Sequence, residues 1–421
     1  MILEIRLSNF FSIKDEVVID MKAASLKSKN VKELSDNVFS FDNEEVLKTI
    51  AIYGANASGK SNIIKAIRFC CAMILNSTNH NGNIKFNYRK FKFGNCENKP
   101  SNFFINFVVN DIEYEYSFSV MQDKIVTESL HYYPKGRIKK IFTRDERKGK
   151  TKKDKYNFGT DIKRPLDVAE STSDKTLYLS RASQMDRDIA KDLFMYFNNT
   201  FILGYLGHNE RQIDDLFKAY KPHLLKALQI ADSDIVNITV KKIKAQGKAL
   251  NVSFTGTELK DARMEDTMRE QLQIKTFHKA DPSISFDLFT EESAGTKKLF
   301  IVMLSILDII ANNKVLLVDE IGDSLHTDII EYIFNLFRAS GKAQLICTTH
   351  NTRFLSLKKF RKDQFYFVNK KEDASTDLYS LYDYSDFRDT MDLEKAYLQG
   401  RFDAVPFVND SIKNLKQLID G

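Results

Sequence analysis

Residues 54–61 read "GANASGKS", and the segments on either side decide what they are. Before them, "VLKTIAIYG" (46–54) is a compact apolar run ending in glycine, the pattern of a strand buried on both faces. After them, "NIIKAIRFCCAMIL" (62–75) puts Ile63, Ile64, Ile67, Cys70, Cys71 and Ile74 on one helical face. Strand, glycine-rich loop and helix form the setting in which G-x-x-x-x-G-K-S curls its backbone N–H groups round phosphate oxygens. The helix aims its positive end at the same place. In this reading Lys60 reaches the β- and γ-phosphates of a nucleotide and Ser61 holds Mg²⁺. The alternative, a chance glycine-rich turn, does not explain the buried strand before it and the helix after it.

Downstream, "VLLVDEIGDSLH" (315–326) is a four-residue apolar strand presenting Asp319 to the Mg²⁺ shell. Glu320 follows, placed to orient and deprotonate an attacking water. Two solvated acids at a strand end are the bland alternative; the phosphate loop upstream favours the metal site. His350 in "LICTTHN" (345–351) ends the next strand, where it can bond the γ-phosphate or the water. A lone histidine is more often structural, so its weight comes from position. His326 is expected in the turn after Glu320, packed at an interface.

"EESAGTKKLF" (291–300) is a second phosphate-holding device. Ser293 and Gly295 precede a helix whose apolar face must be buried, so exposed N–H groups there form an anion nest. By itself a plain helix cap would explain them. A second nest is redundant within one chain. It makes sense if two chains meet head to tail, each nest covering the γ-phosphate held by its partner's Lys60 loop.

Between these motifs the period changes. "ILEIRLSNF" (2–10) and "EVVIDM" (16–21) alternate as strands, and "FFINFVVNDIEYEYSFSV" (103–120) reads as a hairpin around Asn110-Asp111. "KIVTESLHYYPKGRIKKIFTR" (124–144) gives another strand pair turning at Pro134–Gly136, so an antiparallel β layer is expected beside the phosphate-loop sheet. Residues 135–155, dense in Lys and Arg, read mainly as a solvated loop. Residues 165–232 look helical, followed by two short strands, "IVNITVKKIKA" (235–245) and "ALNVSFTG" (249–256), and a polar stretch. No sustained heptads announce a coiled-coil arm. From "SFDLFTEE" (285–292) onward, strands and helices alternate as in a mostly parallel sheet. The expected class is α/β, with an N-terminal lobe over 1–164, a mainly helical insertion over 165–285 and a C-terminal lobe over 286–421.

Composition bounds the rest. A 421-residue chain with 43% hydrophobic residues can bury a large core. Its formal charge of +6 is mild, leaving room for weak, salt-sensitive nucleic-acid contact. The four cysteines show no metal-ligand spacing and suggest a reducing compartment. The N-terminus carries charges within an alternating pattern, unlike a signal peptide, and no uncharged apolar run is long enough to span a membrane. A cytoplasmic protein is expected.

In this order, these elements resemble an ATP-binding-cassette ATPase head of the recombination-repair and chromosome-maintenance class. The resemblance is closer to the stand-alone ATP-binding proteins of bacterial abortive-infection and phage-defence operons, related to the ATPase part of overcoming-lysogenization-defect proteins. It runs from "LSNFFSIKDEVVIDM" (7–21) through "YGANASGKSN" (53–62), the β-layer phrases at 99–120 and 130–137, and "TTHNTRFL" (348–355) to "AYLQGRFDAVPFV" (396–408). It implies that Gly54, Asn56, Ser58, Gly59, Lys60, Ser61 and Asn62 bind ATP, with Ser61 and Asp319 on Mg²⁺. It also implies Glu320 as hydrolytic base, His350 as switch histidine, and Ser293 and Gly295 as the signature acting in trans across an ATP-dependent dimer. Two departures stand out: the signature lacks the "LSGGQ" wording, and no Gln lies between Ser61 and Gln122 to serve the Mg²⁺.

Three functions follow. The first is an ATP-driven defence switch controlling a separately encoded nuclease or toxin, since the residues after His350 leave little room for another catalytic domain. The second is a RecF-like repair ATPase that binds DNA, favoured by "KGRIKKIFTRDERKGKTKKDK" (135–155). The third, a ribonuclease built on the insertion, lacks a His/Arg/Glu cluster.

Overall fold

In the computed structural model, which describes every residue except 27–32, 81–84, 205–209, 232, 256–257, 324, 389, 406–411, 413–416 and 420–421, the N-terminal alternation forms β1 (Ile2–Ser8) and β2 (Val17–Asp20). A small hairpin, β3 (Val38–Phe41) and β4 (Glu44–Leu47), leads into β5 (Thr49–Gly54), buried along its whole length. Helix α1 (Lys60–Asn76) follows and buries all six residues of the expected apolar face. The next hairpin joins β6 (Ser101–Val109) to β7 (Ile112–Val120). Asn110 and Asp111 lie at φ 51° and 58°, the left-handed pair that a tight hairpin turn demands. Strands β8 (Ile125–Tyr132) and β9 (Lys139–Asp145) turn at Pro134–Gly136, with Gly136 at φ 68°.

The basic segment then forms α2 (Lys152–Lys155) and β10 (Tyr156–Phe158), not simply a loop. Next come α3 (Pro165–Glu170), α4 (Tyr178–Gln184), α5 (Asp188–Thr200) and the short β11 (Phe201–Leu203). These were expected to open a separate insertion. Instead α5 turns Leu193 and Phe197 into the core built by β6, where the Phe107 ring lies 5.0 Å from that of Phe197. The chain divides into two compact units, Met1–Gly204 with Ile309–Gly421, and Tyr205–Asp308, so the expected boundaries at 164 and 285 are not those of the structure.

The second unit begins with α6 (Glu210–Ile230) and continues into β12 (Ile235–Thr255) and β13 (Glu258–His278). Where two short strands and a polar stretch were expected, these strands pair antiparallel along nearly their full 21-residue lengths. The region 165–285 is therefore not mainly helical beyond Ile230. Strand β14 (Asp281–Asp287) pairs antiparallel with β13, so the segment expected to begin the parallel sheet belongs elsewhere. Helix α7 (Ala294–Ala311) then carries the chain back to the first unit.

There the expected alternation holds: β15 (Val315–Val318), α8 (Thr327–Ala339) and β16 (Gln344–Thr348), then β17 (Phe365–Lys370), β18 (Thr376–Ser380) and α9 (Leu393–Leu398). The phosphate-loop sheet runs β11-β15-β16-β5-β17-β18, parallel except for its last pair. A seven-stranded antiparallel sheet, β10-β9-β8-β7-β6-β1-β2, forms the other layer. The class is α/β as expected, a mostly parallel phosphate-loop sheet beside an antiparallel layer. One core contains α1 and inward residues of both sheets. The buried Gln344 amide stitches the layers, accepting from Ile2 N at 2.7 Å and donating to Ile2 O at 2.9 Å. All four cysteines are buried free thiols. No helix among the described residues is long and apolar enough to cross a membrane.

Candidate functional site

The phosphate loop lies between the end of β5 and the start of α1. Lys60 is folded back onto its own loop, donating to Gly54 O at 2.8 Å and Ala55 O at 3.0 Å. Burial pushes its ammonium below the ordinary lysine value, with Glu320 and Asp319 opposing that shift. A buried cation satisfied only by two carbonyls is poised to exchange them for phosphate oxygens. The Ser58 hydroxyl in the same cradle is buried without a hydrogen-bond partner. Asn56 sits at the exposed tip, and Ser61 and Asn62 are half-buried in the first turn of α1.

Gly59 adopts φ 116°, and a Cβ there would lie 2.0 Å from Thr376 Oγ1, so only glycine fits. The neighbours that crowd it form a relay. Asn62 Nδ2 donates to Ser12 Oγ at 2.7 Å, Ser12 Oγ lies 2.6 Å from Thr376 Oγ1, and Thr376 Oγ1 donates to Ser58 O at 3.0 Å. With the Ser12 hydroxyl donating to Thr376, each hydroxyl accepts once and donates once. The relay braces the loop against the β1–β2 turn and β18.

The parallel register aligns the ends of three strands. Val318 stands beside Cys347, and Thr348 beside Ile52, two residues before Gly54. Asp319, Glu320 and His350 therefore emerge at the sheet edge that carries the loop, the edge where open α/β sheets bind ligands. Thr348 Oγ1 accepts from Glu320 N at 2.7 Å and donates to Asp319 Oδ1 at 2.7 Å. Glu320 itself lies at φ 56°, a left-handed conformation unusual for glutamate and held by that bond. His350 Nε2 lies 3.8 Å from Glu320 Oε1. Burial and the Lys60 charge lower the His350 pKa, with Glu320 and Asp319 opposing. The hard oxygen donors of Ser61 and Asp319 suit Mg²⁺, which keeps most of its shell for water and phosphate.

In the second unit Ser293 caps α7, its Oγ accepting from Thr296 N at 3.0 Å. Ser293, Ala294 and Gly295 are exposed, and a Cβ on Gly295 would meet only Ser293 Oγ, at 3.7 Å. The helix cap is thus real, and the start of the helix is also open to an approaching anion. Glu292 is pinned to β13, pairing with His278 Nε2 at 2.7 Å and accepting from Thr276 Oγ1. His326 caps α8, its ring accepting from Asp328 N at 3.3 Å.

Gln122 donates to Phe86 O at 2.7 Å and Tyr88 O at 3.0 Å, so its amide is engaged in holding a loop. Part of the basic stretch at 135–155 is bonded internally, while Lys135, Arg137, Lys139, Lys148, Lys150 and Lys153 are exposed. Arg144 is buried between Glu128 and Glu146, Lys155 pairs with Glu146, Arg147 with Asp145, and Lys152 donates to Thr172 O. The sequence reading missed Ser12, Thr348 and Thr376. Thr348 alone left a trace, two positions before His350 and directly after the apolar Leu345-Ile346-Cys347.

A protein family described as "AAA domain, putative AbiEii toxin, Type IV TA system" matches residues 50–356, which span the phosphate loop, Ser293, Asp319 and His350. No curated protein matches the chain. Among solved structures, an SMC head bound to the C-winged helix domain of ScpA is 15% identical, with 94% of this chain and 99% of that one covered and a TM-score of 0.40. The SMC head domain from Thermotoga maritima gives 15% identity, 90% and 98% coverage and a TM-score of 0.38. An Smc head with an extended coiled coil, bound to the C-terminal domain of ScpA derived from Pyrococcus furiosus, gives 15%, 95%, 98% and 0.39.

Proposed function

The chain belongs to the AAA-domain, AbiEii-type family and is a nucleotide-binding P-loop ATPase; from that premise we propose an ATP-driven dimer that switches a separately encoded effector in a bacterial anti-phage, abortive-infection system. The observation that carries the reading is the convergence of Lys60, Asp319, Glu320 and His350 at one edge of the parallel sheet, with Ser293 and Gly295 exposed on another unit at a helix start.

Lys60 leaves the Gly54 and Ala55 carbonyls for the β- and γ-phosphates, and the Ser58 hydroxyl gains a partner. Ser61 and Asp319 would hold Mg²⁺, which when bound would supply charge neutralisation at the phosphate oxygens. Glu320 takes a proton from the attacking water, and His350 bonds the γ-phosphate. The open start of α7 covers the γ-phosphate bound to a second copy, so ATP closes the dimer and hydrolysis releases it. Strands β17 and β18 widen the phosphate-loop sheet beside β5 and so brace the loop that holds the nucleotide. The repair reading loses part of its motive, since Arg144, Arg147, Lys152 and Lys155 are bonded internally.

Mixing two inactive variants tests the composite site. Ser293→Arg and Lys60→Ala proteins should each lack turnover, yet their mixture should regain part of it, because one mixed site unites an intact loop with an intact nest. Turnover by purified monomer at a rate per subunit independent of concentration would overturn the proposal.

A further inference from the structure

We propose that the surface formed by "KFNYRKFKF" (85–93) and the flank of α1 binds single-stranded nucleic acid, independently of the nucleotide site. Cations and aromatic residues interleave along this segment. Lys85, Arg89 and Lys92 are exposed, whereas Phe86, Tyr88 and Phe91 are buried and anchor it. None of those three cations has an ion-pair partner among the described residues, unlike Arg144, Arg147 and Lys155 of the other basic stretch.

The segment is held from behind. Gln122 grips the carbonyls of Phe86 and Tyr88, Phe11 N donates to Arg89 O at 2.8 Å, and Phe91 N donates to Asn9 Oδ1 at 3.2 Å. This fixed ridge borders two adjoining cavities that share Phe11, Phe86 and Asn87. One, of about 750 Å³, is rimmed by Lys85, Arg89 and Lys92. The other, of about 460 Å³, has aromatic walls from Phe10, Phe11 and Phe69, with Lys65, Arg68 and His80 at its edges. Lys65 Nζ lies 5.9 Å from the Phe11 ring centroid. Arg68 Nε is buried at that edge without a hydrogen-bond partner, whereas His80 bonds the Lys175 backbone.

A basic track beside an aromatic pocket is the arrangement that follows a phosphate backbone while stacking bases. The pocket decides between strand forms. A base within a duplex cannot enter a recess without leaving the stack, whereas an unpaired base can. An acidic peptide would match the charge but gain little from the aromatic walls of Phe10, Phe11 and Phe69.

The test measures binding of fluorescein-labelled oligo-dT of about 15 nucleotides to the full chain, with and without saturating ATP. Binding should weaken with salt, and the triple variant Lys85→Gln, Arg89→Gln, Lys92→Gln should lose about tenfold or more in affinity while keeping the wild-type melting temperature. An abasic strand of equal length, which keeps the phosphates, should bind about tenfold more weakly, and so should a matching duplex. Absence of binding at low salt, undiminished binding by the triple variant or equal binding of the abasic strand or duplex would overturn the proposal. So would displacement by ATP, which would assign the anion to the phosphate loop, or equal competition by poly-glutamate, which would assign the surface to an acidic protein.

Discussion

Thr348 donates its hydroxyl to Asp319 across 2.7 Å while receiving the backbone N–H of the next acid, Glu320. One side chain thus orients the residue proposed for the metal and fixes the backbone of the residue proposed for the base. Thr348→Val keeps the shape of the strand end and removes both bonds. ATP turnover should fall about ten- to hundredfold with a raised Mg²⁺ requirement, as for other residues that orient metal ligands, and Thr348→Ser should restore most of it. Turnover at wild-type level in Thr348→Val would show that Asp319 needs no such guide.

Glu320 and Lys60 should fail differently. Lys60→Ala removes the cation now held by the Gly54 and Ala55 carbonyls, so nucleotide affinity itself should be lost, as read by equilibrium binding of a fluorescent ATP analogue. Glu320→Gln retains size and hydrogen bonding but not the base. It should bind ATP, turn over at least about a hundredfold more slowly, and accumulate as a dimer by size-exclusion chromatography in ATP. Unchanged turnover by Glu320→Gln would remove it from the role of base.

A second constellation concerns stability alone. Glu128, fully buried, accepts from Tyr116 Oη at 2.9 Å and from Tyr178 N and Leu179 N at 2.7 and 3.0 Å, and faces Arg144 at 3.5 Å. It ties the antiparallel sheet to the start of α4. Burial raises its pKa despite Arg144 and the N–H donors that oppose the shift. Glu128→Ala should cost about 3 kcal/mol, because it strands two buried backbone donors and the Tyr116 hydroxyl, while Arg144 keeps Glu146 at 2.8 Å. Glu128→Gln, which keeps an acceptor oxygen, should cost less. Urea unfolding midpoints report both.

The parts legible in sequence were those with a local signature. The strand, loop and helix over 46–76 carry their period and glycines in one window, and Asn110-Asp111 announces its hairpin by residue type. The strand pair β12 and β13 was misread because Gln246-Gly247 reads as a break inside what is one strand, and the polar run after Glu258 shows no steady alternation. Strand β11 hides at the end of α5, where three apolar residues simply continue a helical pattern. The hydroxyl relay was invisible for another reason. Ser12 and Thr376 are 364 residues apart, and a hydroxyl that braces a loop at that distance has no spacing to read.

The link at the base of β13 should respond to pH. His278 Nδ1 lies 2.8 Å from Asp234 Oδ1, and Nε2 lies 2.7 Å from Glu292 Oε1, so the ring joins the entry of β12 to the residue before Ser293. Burial alone would lower its pKa, but the bonds to Asp234 and Glu292 outweigh burial and hold it above the ordinary histidine value. A histidine whose folded pKa is raised stabilises fully below its unfolded pKa, near 6.5, and loses that contribution as pH rises through the folded value. Hydrogen exchange at the β13–β14 pair, corrected for intrinsic rates, should therefore show greater protection at about pH 6 than at about pH 8. His278→Gln should flatten that difference while lowering protection by at most about 1 kcal/mol, because the site is partly open to solvent. An unchanged pH dependence in His278→Gln would locate the titrating group elsewhere and leave Glu292 positioned by Thr276 alone.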